Sequence, residues 1–202
     1  MPLNEYEVGK LCGKGKFSTV YKAKRKADNV TVAIKKIAVD VMDRKEVETC
    51  MQEVMLLKSV TDHPNIISYL DSFLDDNYLI IVLEWAGAGD LKRQIGKAKQ
   101  KSARFDEGLV WKIFNQIASA MNHMHKKRTM HRDLKPANIF LTAKGVIKLG
   151  DLGLGRYLSE ATIMAFTKVG TPLYMSPEML SGKKGGGYTW KSDIYSLGCV
   201  LY

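Results

Sequence analysis

The chain has 202 residues, 46% of them hydrophobic and 26% charged, which are the proportions of an ordinary globular protein. Apolar residues along the whole length exclude a disordered chain, and the lack of a triplet glycine period or a sustained heptad excludes a collagen-like or coiled-coil fibre. Thirty-one Lys and Arg against 21 Asp and Glu give a net charge of +10, yet no zinc finger, RNA-binding aromatic motif or basic zipper accompanies it.

The first part of the chain reads as strands broken by one helix. Segments 6–12, 18–24 and 30–37 alternate or carry β-branched residues, with Gly13 and Gly15, then Asp28-Asn29, at the turns. Over 44–60 the period changes, and Val47, Met51, Val54 and Met55 line one face of a predicted helix. Strands follow at 66–73 and 78–83, joined at Asp75-Asp76-Asn77. Asp90 is placed to cap a short helix from Leu91. Val110, Phe114, Ile117, Met121 and Met124 mark one face of a long helix, and a hairpin pairs 139–141 with 146–149. From 152 to 181 no period is visible, which predicts a long functional loop. Segment 193–202 reads as a buried apolar helix in which the sequence stops without a cap, the mark of a fragment.

This order gives an α+β chain. A small sheet-rich lobe spans 1–84, a connector 85–89, and a mainly helical lobe 90–202. The basic clusters at 22–26 and 97–104 fall in predicted turns or loops. Met42, Met51, Met55, Met121 and Met124 read as core filler, and His63 beside Pro64 as a residue that fixes a turn. His123 and His125, two apart, cannot face one metal on a helix. Cys12, Cys50 and Cys199 show no metal-ligand spacing and read as reduced thiols of a cytosolic or nuclear protein. Neither a signal peptide nor an apolar run long enough for a membrane span is present in this sequence.

Three motifs carry chemistry. Gly13-Lys14-Gly15-Lys16-Phe17-Ser18-Thr19-Val20 is a glycine-rich turn between strands, where backbone N–H groups can approach phosphate oxygens. A strand follows it, so it is not a dinucleotide fingerprint, and no Gly-Lys-Ser/Thr closes it as a Walker loop. Val32-Ala33-Ile34-Lys35 ends an apolar strand on a lysine that needs a partner. Glu53 on the next helix is the natural one, with Glu46 and Glu48 as rivals. His131-Arg132-Asp133-Leu134-Lys135-Pro136-Ala137-Asn138 precedes the short hairpin, and Asp151-Leu152-Gly153 follows it. Asn138 and Asp151 supply hard oxygens for Mg²⁺, Asp133 can orient a hydroxyl and take its proton, and Lys135 can neutralise phosphoryl charge.

These motifs, with Ser176-Pro177-Glu178 after them, stand in the order of the eukaryotic protein kinases, which the chain resembles. Lys135 points to the serine/threonine class. Leu83-Glu84-Trp85-Ala86-Gly87-Ala88-Gly89-Asp90-Leu91, Met130-His131-Arg132-Asp133, 148–156 and 169–178 resemble the NIMA-related kinases, especially short members that are little more than a catalytic domain. The resemblance implies a two-lobed kinase fold, ATP and Mg²⁺ as cofactors, and protein Ser/Thr hydroxyls as acceptors. It places Gly13, Gly15 and Ser18 over the phosphates and Lys35 on the α/β-phosphates, steadied by Glu53. It sets Cys12, Val20, Ala33, Leu83 and Phe140 around adenine, with Leu83 as gatekeeper and backbone groups of Glu84 and Ala86 on the adenine edge. Leu152 stands where Phe is commoner, in a stack with Leu57, Tyr69 and His131 anchored by Asp193.

Two switches follow from the resemblance. Thr167 matches an activating position whose phosphate an upstream kinase would add and Arg132 would hold, with Thr162 or Thr171 as alternatives. Tyr69 matches a tyrosine that inhibits by pointing down into the site; the other reading is a packed core tyrosine. Later helices of the family's large lobe are missing from this sequence, so Glu178 is expected to lack its arginine and helix 193–202 to expose apolar side chains. The alternative to a working kinase is a catalytically impaired nucleotide-binding or scaffold fragment. A cytoplasmic place, or a nuclear or spindle-associated one, is expected by association with the family. No membrane is expected as a partner, and the sequence argues against nucleic acid.

Overall fold

The computed structural model describes residues 2–15, 18–150, 173–180 and 189–202, leaving out the side chains of residues 45, 49 and 53. Two compact units divide it: Met1–Thr61 with Ile67–Trp85, and Asp62–Ile66 with Ala86–Tyr202.

In the first unit, strands β1 (Tyr6–Lys14), β2 (Ser18–Arg25), β3 (Thr31–Ala38), β4 (Tyr69–Asp75) and β5 (Tyr78–Glu84) form one antiparallel sheet in the order β1-β2-β3-β5-β4. Asn29 and Asp76 turn the hairpins with φ of 59° and 49°, a conformation their short polar side chains tolerate. Pleating sends alternate residues to opposite faces. Tyr6, Ala23, Val32, Ile34, Ile80 and Val82 cluster on one face, capped by Leu3 and Phe73. Val32, Ile34, Ile80 and Val82 are wholly buried, each stabilising the fold by about 1.5–3 kcal/mol. That burial fixes the register, because a slip of one residue would expose the whole set.

Helix α1 (Arg44–Val60) follows β3. A capping box starts it: Asp43 Oδ1 accepts from the Glu46 N–H at 2.8 Å, and Glu46 Oε2 accepts from the Asp43 N–H at 2.7 Å. Its buried face is Cys50, Val54, Leu57 and Val60. The expected stripe of Val47, Met51, Val54 and Met55 is therefore turned: Met51 is 42% and Met55 72% exposed, so neither fills a core. A thiol and a leucine at helical spacing outrank the flexible methionines on the inward side.

The second unit is helical. It holds α2 (Leu91–Gln100), α3 (Glu107–Lys126), a 3₁₀ turn (Pro136–Asn138), the hairpin β6 (Ile139–Leu141) and β7 (Ile147–Leu149), α4 (Pro177–Leu180) and α5 (Trp190–Leu201). Asp90 caps α2 through the Arg93 N–H, as its position foretold. Ile117, Ala120, Met121 and Met124 are buried along α3. Segment 62–66 packs here and not with the sheet. Ile66 bridges Leu149, the Leu149 N–H donates to Asn65 O, and Asn65 Nδ2 donates to Ile147 O and Gln116 Oε1. Strand β4 accordingly begins at Tyr69 instead of 66. The His63 ring fixes this turn by accepting the Asn65 N–H at Nδ1, as expected of it.

Three further expectations change. Residues 22–25 lie in β2 and 97–100 in α2, so the basic clusters are not loops. Helix α4 interrupts the segment expected as a loop, most of which (152–172 and 181) lies outside the described residues. The last helix begins at Trp190, three residues early, because Thr189 and Ser192 form a reciprocal cap. It buries Ser192, Asp193, Ser196 and Leu197 while Ile194, Tyr195 and Leu201 are exposed, so it is amphipathic and not wholly buried.

Candidate active site

The sheet face opposite the apolar cluster collects the first group of site residues. Register sets Val20 opposite Lys35, Ala33 opposite Leu83, and Lys35 opposite Ile81. Val20, Ala33, Lys35 and Leu83 thus share one face across β2, β3 and β5, although they are spread over 64 positions of sequence. Gly13 pairs with Val20, and a register shift between Leu11 and Gly13 makes Cys12 the extra residue of a bulge. Lys35 is 6% exposed, an ammonium largely withdrawn from water in a wall of aliphatic side chains. Of its three candidate partners on α1, Glu46 is spent in the capping box and Glu48 pairs with Arg44 at 3.2 Å. The Glu53 side chain, with Lys16 and Phe17, lies outside the described residues. Lys14, Gly15, Ser18 and Thr19 flank the turn, where the Gly15 N–H donates to Ser18 O at 2.7 Å.

Glu84 closes the sheet: its N–H donates to Ser68 O and its carboxylate accepts the Ser68 N–H at 3.1 Å. Tyr69 is half-buried, and its hydroxyl pairs with Ser72 Oγ at 2.7 Å on its own strand.

The second unit carries a hydrogen-bonded Asp–Lys–Asn group. Asp133 accepts from Lys135 Nζ at 2.7 Å on Oδ2 and 3.0 Å on Oδ1, and from Asn138 Nδ2 at 2.9 Å on Oδ2. Asn138 Nδ2 also donates to Asp133 O at 2.8 Å. Both amide protons are committed, so the amide orientation is fixed with Oδ1 turned from Asp133. The 3₁₀ turn makes this possible, because Pro136 starts it without needing an N–H and brings Asn138 back over Asp133.

A buried anion holds the loop from below. Asp193 on α5 is 0% exposed and accepts the His131 and Arg132 N–H groups, both at 2.9 Å, and bonds His125 Nε2 at 2.9 Å. Arg132 has φ 70°, a left-handed conformation that costs a non-glycine residue about 1–2 kcal/mol. Two charge-assisted bonds to one carboxylate offset that cost. His131, wholly buried, meets Gly150 O at Nε2 and accepts the Asp133 N–H at Nδ1, which defines a neutral ring with its proton on Nε2. The family resemblance makes Asp193 the anchor of the Leu152 stack; its hold on the loop backbone and on His125 has no signal in the sequence beyond a histidine one residue past a buried methionine.

Segment 86–90 is tied to β6: the Ala88 N–H donates to Leu141 O, the Leu141 N–H to Gly89 O, and Asp90 bridges Phe140. Gly89 takes φ 83°, which a side chain would strain. Ala86 is buried and Phe140 half-buried in this arrangement. Gly150, whose N–H donates to Asn138 O, leads straight to Asp151. Asp151, Leu152, Thr162, Thr167 and Thr171 lie outside the described residues.

Glu178 has a serine as its partner, where the family has an arginine. Its Oε1 accepts the Ser192 hydroxyl at 2.6 Å, and that bond is the main cause holding its carboxyl below the usual range. Among the described residues no cluster of three or more His, Cys, Asp or Glu is placed to hold a metal, and no helix is long and apolar enough to cross a membrane.

A buried lysine on a sheet face and an Asp–Lys–Asn cluster on an anchored loop form the pattern of phosphoryl-transfer enzymes. The protein kinase domain model matches residues 6–202, and the chain belongs to that family. Its relatives narrow the class. It is 43% identical over 203 residues to the probable serine/threonine-protein kinase nek3 of Dictyostelium discoideum, covering 99% of this chain and 18% of that protein. Identity to serine/threonine-protein kinase Nek5 of Homo sapiens is 40%, over 99% of this chain and 28% of that protein. For Nek2 of Mus musculus it is 39%, over 99% and 46%. The chain thus spans less than half the length of each of these relatives.

Proposed function

We propose that this chain is the catalytic domain of a Nek-type protein serine/threonine kinase that transfers the γ-phosphoryl group of ATP to protein hydroxyls. The observation that carries this reading is the Asp133–Lys135–Asn138 cluster, three adjacent groups fixed by four hydrogen bonds. Asp133 Oδ1 has one long contact, from Lys135, and keeps capacity to accept the proton of an incoming hydroxyl. Lys135 bonds that carboxylate and places positive charge where a transferring phosphoryl gathers negative charge. Lys35, on its aliphatic sheet face, binds the α/β-phosphates, and Glu53 is its partner on α1, since Glu46 and Glu48 are engaged elsewhere. Val20, Ala33 and Leu83 offer an adenine ring an apolar sheet face.

The donor chemistry fits Mg²⁺: Asn138 presents an amide oxygen, and Asp151 follows β7 within two residues. Mg²⁺, when bound, neutralises phosphate charge. Thr167 is the activating phosphorylation position, read by Arg132, and Tyr69 the inhibitory tyrosine, with its bond to Ser72 marking the released state. The small lobe, connector and large lobe are assigned to 1–84, 85–89 and 90–202, and the protein to the cytoplasm, nucleus or spindle.

Thermal shift with Mg²⁺ and ATP tests the reading. Wild type should gain several degrees and Lys35→Met should gain none. An equal gain in both, or none in either, contradicts it.

A further inference from the structure

Between Asp90 and Asp106 the chain carries Lys92, Arg93, Lys97, Lys99, Lys101 and Arg104 and not a single Asp or Glu. These six positive charges compare with +10 for the whole chain. All six side chains are exposed. Other clustered cations have local uses: Arg25 pairs with Asp28 at 2.6 Å, Lys22 lies over Trp85, and Lys127 pairs with Asp62 at 2.7 Å. Among the described residues, none of the six has an acidic or aromatic partner. Lys97 and Lys99 sit in the last turn of α2, where they favour its C-terminal carbonyls. Lys101, the C-cap, shares that effect, the other three gain nothing from it, and the whole set repels itself.

We propose that α2 and the turn after it are a docking surface for acidic segments of protein substrates. Helix α2 is about 15 Å long, and with its following turn it matches about six to eight residues of extended chain. It packs against the 3₁₀ turn Pro136–Asn138 and β6, so an anchored segment is held on the unit that carries Asp133. Its apolar side chains point inward: Leu91 is buried and Ile95 half-buried, which leaves no wedge for a lipid surface. No exposed aromatic stands among the cations to stack on bases, which disfavours single-stranded nucleic acid. The identity of the ligand as a substrate rests on the kinase reading; the binding itself does not.

The test is fluorescence anisotropy of a labelled octaglutamate peptide with the full chain, in low and in high salt. Two variants are compared: K97Q/K99Q/K101Q/R104Q and, as an equal change of net charge elsewhere, K24Q/K26Q/K126Q/K144Q. The first should bind about tenfold more weakly, the second should match wild type, and salt should abolish the difference. An acidic tail on a serine peptide should likewise lower KM about tenfold at constant kcat in wild type and in the second variant but not in the first. Absence of binding, equal loss in both variants, or tighter binding of an oligonucleotide or of anionic vesicles than of the peptide overturns the proposal. Peptide binding that follows the first variant, with no phosphoryl transfer to any peptide, supports the docking surface and overturns the kinase reading instead.

Discussion

Replacing Asp193 by Asn removes a charge while keeping size and shape, at a site with no exposure to water. The carboxylate meets donors on both oxygens: His131 N–H and His125 Nε2 on Oδ2, and Arg132 N–H on Oδ1. An amide has one accepting oxygen, so whichever way it turns, its NH₂ faces a donor. One or two charge-assisted bonds are lost and an N–H is left buried without a partner, together about 3 kcal/mol. A loss of that size lowers Tm by about 6–12 °C for a chain of this length. Arg132 then keeps its φ of 70° without support, so the loop that fixes Asp133 relaxes and kcat falls more than KM rises. Differential scanning fluorimetry and initial-rate kinetics on purified Asp193→Asn read both effects. A Tm within 1 °C of wild type with unchanged kcat, to within about twofold, would refute the assignment of Asp193 as the loop's anchor.

Asp133→Asn keeps the bonds to Asn138 but removes the proton acceptor, so kcat should drop about 10³-fold with little change in KM for ATP; steady-state kinetics decide it. On α1, Met55→Ala should stay within about 0.5 kcal/mol of wild type while Leu57→Ala costs about 2–4 kcal/mol, measured by urea denaturation. Burial, then the neighbouring His123 ring, holds the His63 imidazole below the ordinary histidine range, against the pull of Asp62. The folded state therefore takes up that proton less readily than the unfolded one. Stability is lost as pH falls through the ordinary histidine range and levels off below the depressed value. His63→Gln should flatten that limb of a Tm-against-pH curve; an unchanged curve counts against the reading.

Strands with alternating β-branched residues, the Arg44–Val60 helix and the hairpin at 139–149 were legible because periodicity and turn residues agree there. The candidate site cluster was legible for another reason: Asp133, Lys135 and Asn138 lie within six positions, so local turn geometry alone brings them together. What sequence did not give depended on long-range packing. The buried side of α1 is decided by what it packs on, and propensity ranks Met55 and Leu57 alike. Ile66 looks like strand, yet it bridges Leu149 and belongs with it to the second unit. Ser192 could not be seen as the partner of Glu178, because the pair is made by two helices fourteen positions apart.

Phosphoryl transfer itself is the most direct test of the central claim. The chain is incubated with Mg²⁺ and γ-labelled ATP on peptides that offer serine, threonine and tyrosine acceptors, beside Asp133→Asn. Label on serine and threonine, absent from tyrosine and lost in the variant, is the predicted result. Label on tyrosine, or transfer that survives in Asp133→Asn, contradicts the account.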